Sequence, residues 1–133
     1  MSFSLDGHVA LVTGSSTGLG KITARNLATA GAKVAVNFAN NRERAEESFA
    51  EFEQHGCKGM LAQADVTSEA EVDRMFNEIE SNLGPVDIVV ANATPDQPLL
   101  PIEEYDWEFY ESMINFFIKS PYLLARRALP HMK

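Results

Sequence analysis

Short apolar runs alternate with longer segments of helical periodicity along this chain. The runs at residues 8–13, 33–38 and 59–63 have the length of strands. In the segments between them, apolar residues recur every three to four positions, which is the spacing of one helix face. Such alternation is typical of repeated βα units around a parallel sheet. The pattern predicts an α/β fold of about four βα units, in one domain over residues 1–133.

Capping and periodicity signals place a helix after each of these strands. The first helix is predicted over residues 18–30, and the second within 40–56. The third begins near Ser68, which has the capping-box spacing to Glu71. Its apolar stripe comprises Val72, Met75, Phe76, Ile79 and Leu83.

The pattern in the last third of the chain predicts a longer strand and a longer helix. Gly84 and Pro85 end the third helix, and "VDIVVANA" at 86–93 is nearly apolar throughout. Such a run predicts a fourth strand that is covered on both faces. After a proline-bearing loop, a helix is predicted over 103–132, with a kink at Pro121.

The segment "LVTGSSTGLGK" at 11–21 joins the first strand to the first helix through three glycines. A strand, a glycine turn and a helix form a phosphate cradle, because free N–H groups and the positive end of the helix dipole face the turn. Gly14 permits the tight turn, Gly18 lets the backbone approach a pyrophosphate, and Gly20 lets the helix pack close to the strand. The alternative is a glycine-rich turn that serves packing alone.

Three motifs, in order, resemble those of the short-chain dehydrogenases/reductases. "TGSSTGLG" resembles the family's Thr-Gly-x-x-x-Gly-x-Gly turn, and "ADVTS", with Asp65 and Val66, resembles its adenine-contacting pair. "GPVDIVVANA" resembles the fourth strand that ends in Asn-Asn-Ala-Gly, although Ala91 and Thr94 replace an asparagine and a glycine. "SPYLLARRALPHM" is similar to the segment before the fifth strand. The resemblance covers the whole chain but only the N-terminal half of a family member.

This resemblance implies a Rossmann-like, three-layer αβα fold with a parallel sheet of about four strands in the order 3-2-1-4, incomplete relative to the family. In that fold the glycine turn holds pyrophosphate, Asp65 and Val66 the adenine end, and Asn92 and Ala93 the nicotinamide ribose region. The implied cofactor-binding residues are Gly14, Ser16, Thr17, Gly18, Leu19, Gly20, Asn40, Asn41, Asp65, Val66, Asn92 and Ala93. For Asp65 the alternative is a strand-end acceptor for nearby backbone donors.

The residues after the second strand favour NADP over NAD. In the family register Phe38 stands where an acidic residue would hold the ribose diol of NAD and repel the extra phosphate of NADP. Asn40, Asn41 and Arg42 follow where a 2′-phosphate could lie, unless Arg42 is simply solvated. The glycine-turn position that often carries arginine in NADP-preferring relatives is not basic here, and Lys21 is the candidate substitute.

The catalytic residues of the family are not found in this sequence. The family uses a tyrosine with a lysine four residues later, because the ammonium lowers the pKa of the phenol. Tyr105, Tyr110 and Tyr122 are followed at that distance by phenylalanine, isoleucine and arginine. Two registers place Phe117, and not Asn115, at the position of the family's relay asparagine. No catalytic residue is therefore predicted, and the chain alone is predicted to be inactive.

Two functions remain open at this point. The first is the dinucleotide-binding half of an NADP(H)-dependent short-chain dehydrogenase/reductase, which reduces carbonyls or oxidises alcohols by hydride transfer; its small substrate would bind only in a complete enzyme. The second is a non-catalytic NADP-binding, regulatory or dimerisation module. A remnant that binds no nucleotide is a further alternative.

Composition excludes several other classes of function. The chain has 19 acidic and 11 basic side chains and a net charge of −8, which argues against nucleic acid or an anionic membrane as a partner. Its one cysteine, the lack of a signal-like N-terminus and the lack of a membrane-length apolar run predict a cytoplasmic protein. Its three histidines are too scattered to indicate a metal site.

An exposed sheet edge predicts self-association. In the order 3-2-1-4 the fourth strand lies at an edge, beside a helix rich in apolar residues. The apolar residues expected on this surface are Phe116, Phe117, Ile118, Leu123 and Leu124. We therefore expect a homo-oligomer, most simply a dimer through the last helix and the fourth-strand edge.

Overall fold

The computed structural model describes residues 3–133, in which parallel strands lie between two groups of helices. The strands are β1 (Val9–Val12), β2 (Lys33–Phe38), β3 (Gly59–Gln63) and β4 (Ile88–Val90). The helices are α1 (Gly18–Thr29), α2 (Arg42–Gln54), α3 (Glu69–Asn82), α4 (Trp107–Ile114) and α5 (Ser120–Met132). The sheet order β3-β2-β1-β4 confirms the predicted order, and every strand pair is parallel.

Alternation along β1 divides the apolar core between the two faces of the sheet. Val9 and Leu11 pack with the apolar residues of α3 and α5, including the stripe predicted for α3. Ala10 and Val12 pack on the other face, with Ala24 of α1 and residues of α2. All four β1 residues are at most 5 % exposed. The sheet is therefore covered on both faces, as its continuous apolar strands predict.

The predicted fourth strand, 86–93, is too long. Only Ile88–Val90 form the strand, because β4 pairs on one side only and its partner β1 has four residues. Val86 is buried before the strand begins, so an apolar residue of the run is used in packing outside the ladder. After Val90, side-chain hydrogen bonds to Thr13 hold the chain instead.

The predicted continuous helix over 103–132 is also wrong. A 3₁₀ turn (Ile102–Glu104) comes first, and Asp106 then starts α4 by accepting a hydrogen bond from the Phe109 N–H over 2.8 Å. A π-helical turn (Asn115–Lys119) separates α4 from α5. Pro121 lies at the start of α5 and has no N–H to donate, so the expected irregularity is present as this turn just before it.

The capping box predicted at the start of α3 forms only in part. The Ser68 hydroxyl accepts from the Glu71 N–H over 3.4 Å, as expected. The Glu71 carboxylate, however, accepts from the Asp65 N–H over 3.1 Å, while the Ser68 N–H donates to the Asp65 carbonyl. The Glu71 carboxylate therefore fixes the turn that leaves β3 instead of completing the capping box.

The apolar surface predicted around α5 is smaller than expected. Leu123 and Leu124 are 5 % and 1 % exposed because they pack against α3, so their predicted exposure is wrong. Phe116 is partly buried against the same core. Phe117 and Ile118 are 46 % and 66 % exposed, as expected. The open edge of β4 and these two side chains remain as candidate contact surface.

Candidate functional site

The glycine turn between β1 and α1 has the left-handed backbone that its sequence indicates. Gly14 has φ +60° and Gly18 has φ +59°, a region that residues with a side chain rarely adopt. A Cβ atom added to Gly18 would meet nothing within 4 Å, so this glycine borders open space. An approaching ligand can therefore come close to the backbone at Gly18.

Gly14 and Gly20 serve close packing. A Cβ on Gly14 would lie 2.9 Å from the Cα atom of Ala93, and one on Gly20 would lie 2.5 Å from the Asn92 side-chain nitrogen. Real Cβ atoms do not approach neighbours so closely. These two glycines let the turn and the first helical turn lie directly against the segment after β4.

The start of α1 is left without a side-chain cap. Thr17 occupies the N-cap position with φ −145° and ψ 167°, but its hydroxyl makes no capping hydrogen bond. The first N–H groups of a helix have no carbonyl partner within it. At the starts of α2 and α3, by contrast, the side chains of Asn41 and Ser68 accept from such a group. Of the α-helices that follow a strand within residues 3–133, α1 alone has no side-chain cap on its first N–H groups.

Hydrogen bonds that Thr13 accepts join the carboxyl ends of β1 and β4. The Thr13 hydroxyl accepts from the backbone N–H groups of Asn92 and Ala93 over 2.9 and 3.0 Å. The Asn92 side-chain amide donates to the carbonyls of Thr13 and Gly14 over 3.0 and 3.1 Å. Asn92 and Ala93 are thus held beside the glycine turn.

Asn37 braces the turn from the other side, and sequence reasoning missed it. Its side-chain oxygen accepts from the Gly14 N–H over 3.0 Å, and its backbone N–H donates to the Ser15 hydroxyl over 3.1 Å. Asn37 is 2 % exposed in a strand otherwise apolar over its buried part. That isolated buried amide within "KVAVNF" is the signal that could have revealed it.

These elements surround one open cleft of about 850 Å³ at the carboxyl end of the sheet. It is lined by Gly14, Ser16, Thr17, Gly18, Leu19, Asn37, Phe38, Ala39, Asn40, Asn41, Arg44, Ala64, Asp65, Val66, Asn92, Ala93, Thr94, Pro95, Asp96 and Phe116. Every residue predicted to contact a cofactor is in this set except Gly20. Gly20 is buried behind the turn, so its place in the structure is one of packing.

The basic residues near β2 are arranged differently from the expectation. Arg42 lies over the Phe38 ring at 5.2 Å and donates to the Gln63 side chain over 2.7 Å, outside the cleft lining. Lys21 forms an ion pair with Glu51 at 2.7 Å and is likewise absent from the lining. Arg44, in the first turn of α2, is the basic residue that lines the cleft.

Asp65 accepts hydrogen bonds from nearby donors, as its alternative role of a strand-end acceptor requires. One carboxylate oxygen accepts from the N–H and the hydroxyl of Thr67 over 2.9 and 2.6 Å. The side chain is nevertheless exposed and lines the cleft beside the buried Val66. Its geometry is compatible with both roles.

The π-helical turn decides which residue of 115–117 faces the cleft. Phe116 lines it, whereas Phe117 is 46 % exposed and does not. Register counts that assume a regular α-helix do not hold across this turn, because its hydrogen bonds close a wider loop. The Tyr105 hydroxyl bonds to the Pro98 carbonyl, and Tyr122 is 58 % exposed, so neither lines the cleft.

The fold and this turn can be compared with known proteins. Residues 8–133 match the family model described as short chain dehydrogenase. The chain belongs to the short-chain dehydrogenase/reductase family. Over 132 residues it is 33 % identical to a 2-dehydro-3-deoxy-D-gluconate 5-dehydrogenase from Formosa agariphila, covering 98 % of this chain and 49 % of that protein. The chain thus spans about half the length of this relative.

Solved structures of the family have the same fold over the same half. A gluconate 5-dehydrogenase from Burkholderia cenocepacia J2315, in complex with NADP and tartrate, matches with a TM-score of 0.85 and 32 % identity. The match covers 98 % of this chain and 51 % of that one. A blue fluorescent protein from a metagenomic library, in complex with NADPH, matches with a TM-score of 0.86 and 31 % identity, over 97 % and 53 % of the two chains.

Membrane-spanning helices and metal-binding clusters are both absent from residues 3–133. No helix there is both long enough and apolar enough to cross a membrane. The same part of the chain has no group of three or more histidine, cysteine and acidic residues arranged to hold a metal ion.

Proposed function

We propose that this chain is a dinucleotide-binding domain and supplies that half of an NADP(H)-dependent short-chain dehydrogenase/reductase. One observation carries the proposal: the uncapped start of α1 opens, through the glycine turn, onto a cleft lined by residues at or just after the ends of all four strands. Such a helix start attracts anions through its free N–H groups and its dipole. The pyrophosphate of a dinucleotide has the charge and size for that position.

The cleft offers suitable surroundings for both ends of the molecule. Beside the turn, Asp65 and Val66 would contact the adenine, and Asn92 and Ala93 the nicotinamide ribose. Ser16, Thr17 and Leu19 would contribute hydroxyl groups, backbone N–H groups and apolar surface around the pyrophosphate. The volume of about 850 Å³ lies within the range common for cofactor clefts.

NADP is preferred over NAD in this proposal because of the residues after β2. Phe38 is 3 % exposed and has no carboxylate to hold the ribose diol of NAD. Arg44 lines the cleft beside Asn40 and Asn41, and its side chain makes no ion pair within residues 3–133. In a chain of net charge −8, a local arginine is what allows a 2′-phosphate to bind. We assign the phosphate contact to Arg44 instead of Arg42.

The complete enzyme would transfer a hydride between the nicotinamide ring and a small carbonyl compound or alcohol. Bound NADP(H) supplies or accepts that hydride. The residues of this chain hold and orient the dinucleotide, while Phe116 and Thr94 border the end of the cleft that we assign to the nicotinamide. Because no tyrosine here has a lysine four residues later, we expect negligible turnover by the chain alone.

The cleft also supports a second candidate function, because every residue that we assign to NADP(H) lies within these 133 residues. A chain that binds NADP(H) without a catalytic tyrosine and lysine can act as a non-catalytic or regulatory module.

We further propose that the protein is cytoplasmic. We also propose that it associates with itself through the β4 edge and the exposed Phe117 and Ile118.

Calorimetric titration of the 133-residue chain with NADPH and NADH tests the proposal. We expect saturable binding of NADPH and weaker binding of NADH. Thr17→Glu, which puts a negative charge at the uncapped helix start, should weaken NADPH binding by at least about tenfold, since like charges repel. Thr29→Glu makes the same change at the far end of α1 and should leave affinity unaltered. No binding of either dinucleotide, or equal effects of both variants, would contradict the proposed site.

A further inference from the structure

Asn37 has a hydrogen-bonding arrangement that goes beyond support of one turn. Its side-chain oxygen faces Gly14, and its side-chain nitrogen donates to the carbonyls of Ala62 and Ala64 over 3.0 and 3.2 Å. The same nitrogen lies 3.5 Å from the sulfur of Met75. Both sides of the amide are thus engaged, which fixes its orientation in a site that is 2 % exposed.

These contacts link the two walls of the cleft. Gly14 belongs to the turn that faces the proposed pyrophosphate site, and Ala64 directly precedes the adenine-side pair Asp65 and Val66. The backbone of Asn37 adds two bonds to Ser15, donating to its hydroxyl and accepting from its N–H over 3.1 and 2.9 Å. One residue of β2 therefore holds the end of β1 and the end of β3 at a set separation.

We infer that Asn37 is a positioning residue for the dinucleotide, an assignment that rests on the proposed function. It acts through Gly14 and Ala64, because its own amide is already fully engaged by the protein. A dinucleotide contacts both walls at once, so its affinity depends on their separation. A well-packed core residue elsewhere supports the fold without fixing that separation.

The chemistry of the site requires an amide. An aspartate would keep the acceptor for Gly14 but would set a carboxylate oxygen against two carbonyl oxygens, which is repulsive in a buried place. An alanine would leave the Gly14 N–H without its partner and release both walls. No other side chain of similar size combines one acceptor with two donors.

The test compares Asn37→Ala with Val72→Ala, a core change in α3 at a residue 1 % exposed and outside the cleft lining. Both variants should lower Tm. At a temperature where both are folded, Asn37→Ala should raise the Kd for NADPH about tenfold, the effect of one lost buried hydrogen bond. Val72→Ala should leave Kd within about twofold of the unmodified chain.

The outcomes separate this inference from the proposed function. If the unmodified chain binds no NADPH, the proposed function fails and the inference fails with it. If it binds, and folded Asn37→Ala binds equally well or both variants lose affinity equally, the inference alone is overturned.

A second measurement needs no substitution and covers the case in which Asn37→Ala does not fold. In the unmodified chain, the Gly14 amide should exchange its hydrogen more slowly than that of Gly18 by about two orders of magnitude, because only the former has an acceptor. NADPH should then protect the amides of Gly14 and Ala64 together. Fast exchange at Gly14, or protection confined to one wall, overturns the inference.

Discussion

Asn92 donates twice to Thr13, from its backbone N–H to the hydroxyl over 2.9 Å and from its side chain to the carbonyl over 3.0 Å. Thr13 is 1 % exposed, so this pair fastens the ends of β1 and β4 inside the protein. The Thr13 N–H also donates to the Val90 carbonyl over 3.0 Å, so this pair lies directly after the last backbone bond between the two strands. The cleft therefore depends on a single hydroxyl for part of its shape.

Thr13→Val should destabilise the chain. The substitution keeps the shape of the side chain but leaves the N–H groups of Asn92 and Ala93 without their acceptor, at a cost of about 1–3 kcal/mol. Urea unfolding of the variant and the unmodified chain gives the difference. Thr13→Ser retains the hydroxyl and is the control, with a loss well below that of valine. Equal losses for the two variants would contradict the larger role assigned here to the hydroxyl.

Arg44→Ala should weaken NADPH binding and leave NADH binding unchanged. A charged hydrogen bond to a phosphate contributes enough for about a tenfold change in Kd. Arg42→Ala is the matched control, because that neighbouring arginine stacks on Phe38 and lies outside the cleft lining. Titrations of both variants with NADPH at low and high salt give their Kd values, and the increase in Kd caused by Arg44→Ala should shrink as salt rises. A larger effect from Arg42 would return the phosphate contact to that residue.

The ion pair of Glu51 with Lys21 should make a small contribution to stability that is lost in acid. The hydrogen bond from Lys21, with its charge, holds the pKa of the Glu51 carboxyl below its usual value of 4.5. A carboxyl with a lowered pKa in the folded state contributes stability above pH 4.5 and loses it as the pH falls through the folded pKa. Glu51→Gln should therefore lower Tm slightly near neutral pH and make no difference in strong acid.

Thermal unfolding of Glu51→Gln and of the unmodified chain, between about pH 7 and about pH 3, measures this difference in Tm. Glu53→Gln, on the same helix and in no ion pair within residues 3–133, is the control and should show no such dependence. A Tm difference for Glu51→Gln that grows toward acid pH would have the wrong sign for the Lys21 pair.

Ile118→Glu should shift the chain toward monomer. Ile118 is 66 % exposed just before α5, and a buried charge at a self-contact is strongly unfavourable. Ile22→Glu is the matched control, since Ile22 is 59 % exposed on α1, on the opposite face of the sheet. Sedimentation velocity over a range of concentrations distinguishes the two. A dimer that survives Ile118→Glu, or a monomer before any substitution, would remove α5 and the adjoining π turn from the proposed contact.

The fold was largely predictable because its pattern is repeated. Each βα unit has an apolar strand, a helix face and a stop signal, and each signal acts over a few residues. The resemblance of three motifs then set the strand order, which matches the observed sheet. Eleven of the residues expected at the site line one cleft because strand ends in a parallel sheet lie at the same edge.

What the sequence did not reveal depends on contacts between distant segments. Asn37 is a single polar residue in an apolar strand, and only the folded structure shows that its side chain bonds to Gly14 and to the carbonyls of Ala62 and Ala64. The sequence does not show whether Arg42 or Arg44 reaches the cleft. In the structure Arg42 stacks on the Phe38 ring, and Arg44 lines the cleft. The break at Asp106 was missed because its capping bond competes with a pattern that otherwise continues as a helix.

The π turn at Asn115–Lys119 has a consequence for deletions. A π turn holds about one more residue than the α-helical turn it replaces. Removing Phe117 would therefore restore a regular α-helix without rotating the residues that follow it. Leu123 and Leu124 would stay buried against α3, whereas a regular α-helix that kept all its residues would be rotated by about 100° after the turn and would carry them toward water. The extra residue in the π turn thus keeps the apolar side of the last helix toward the core.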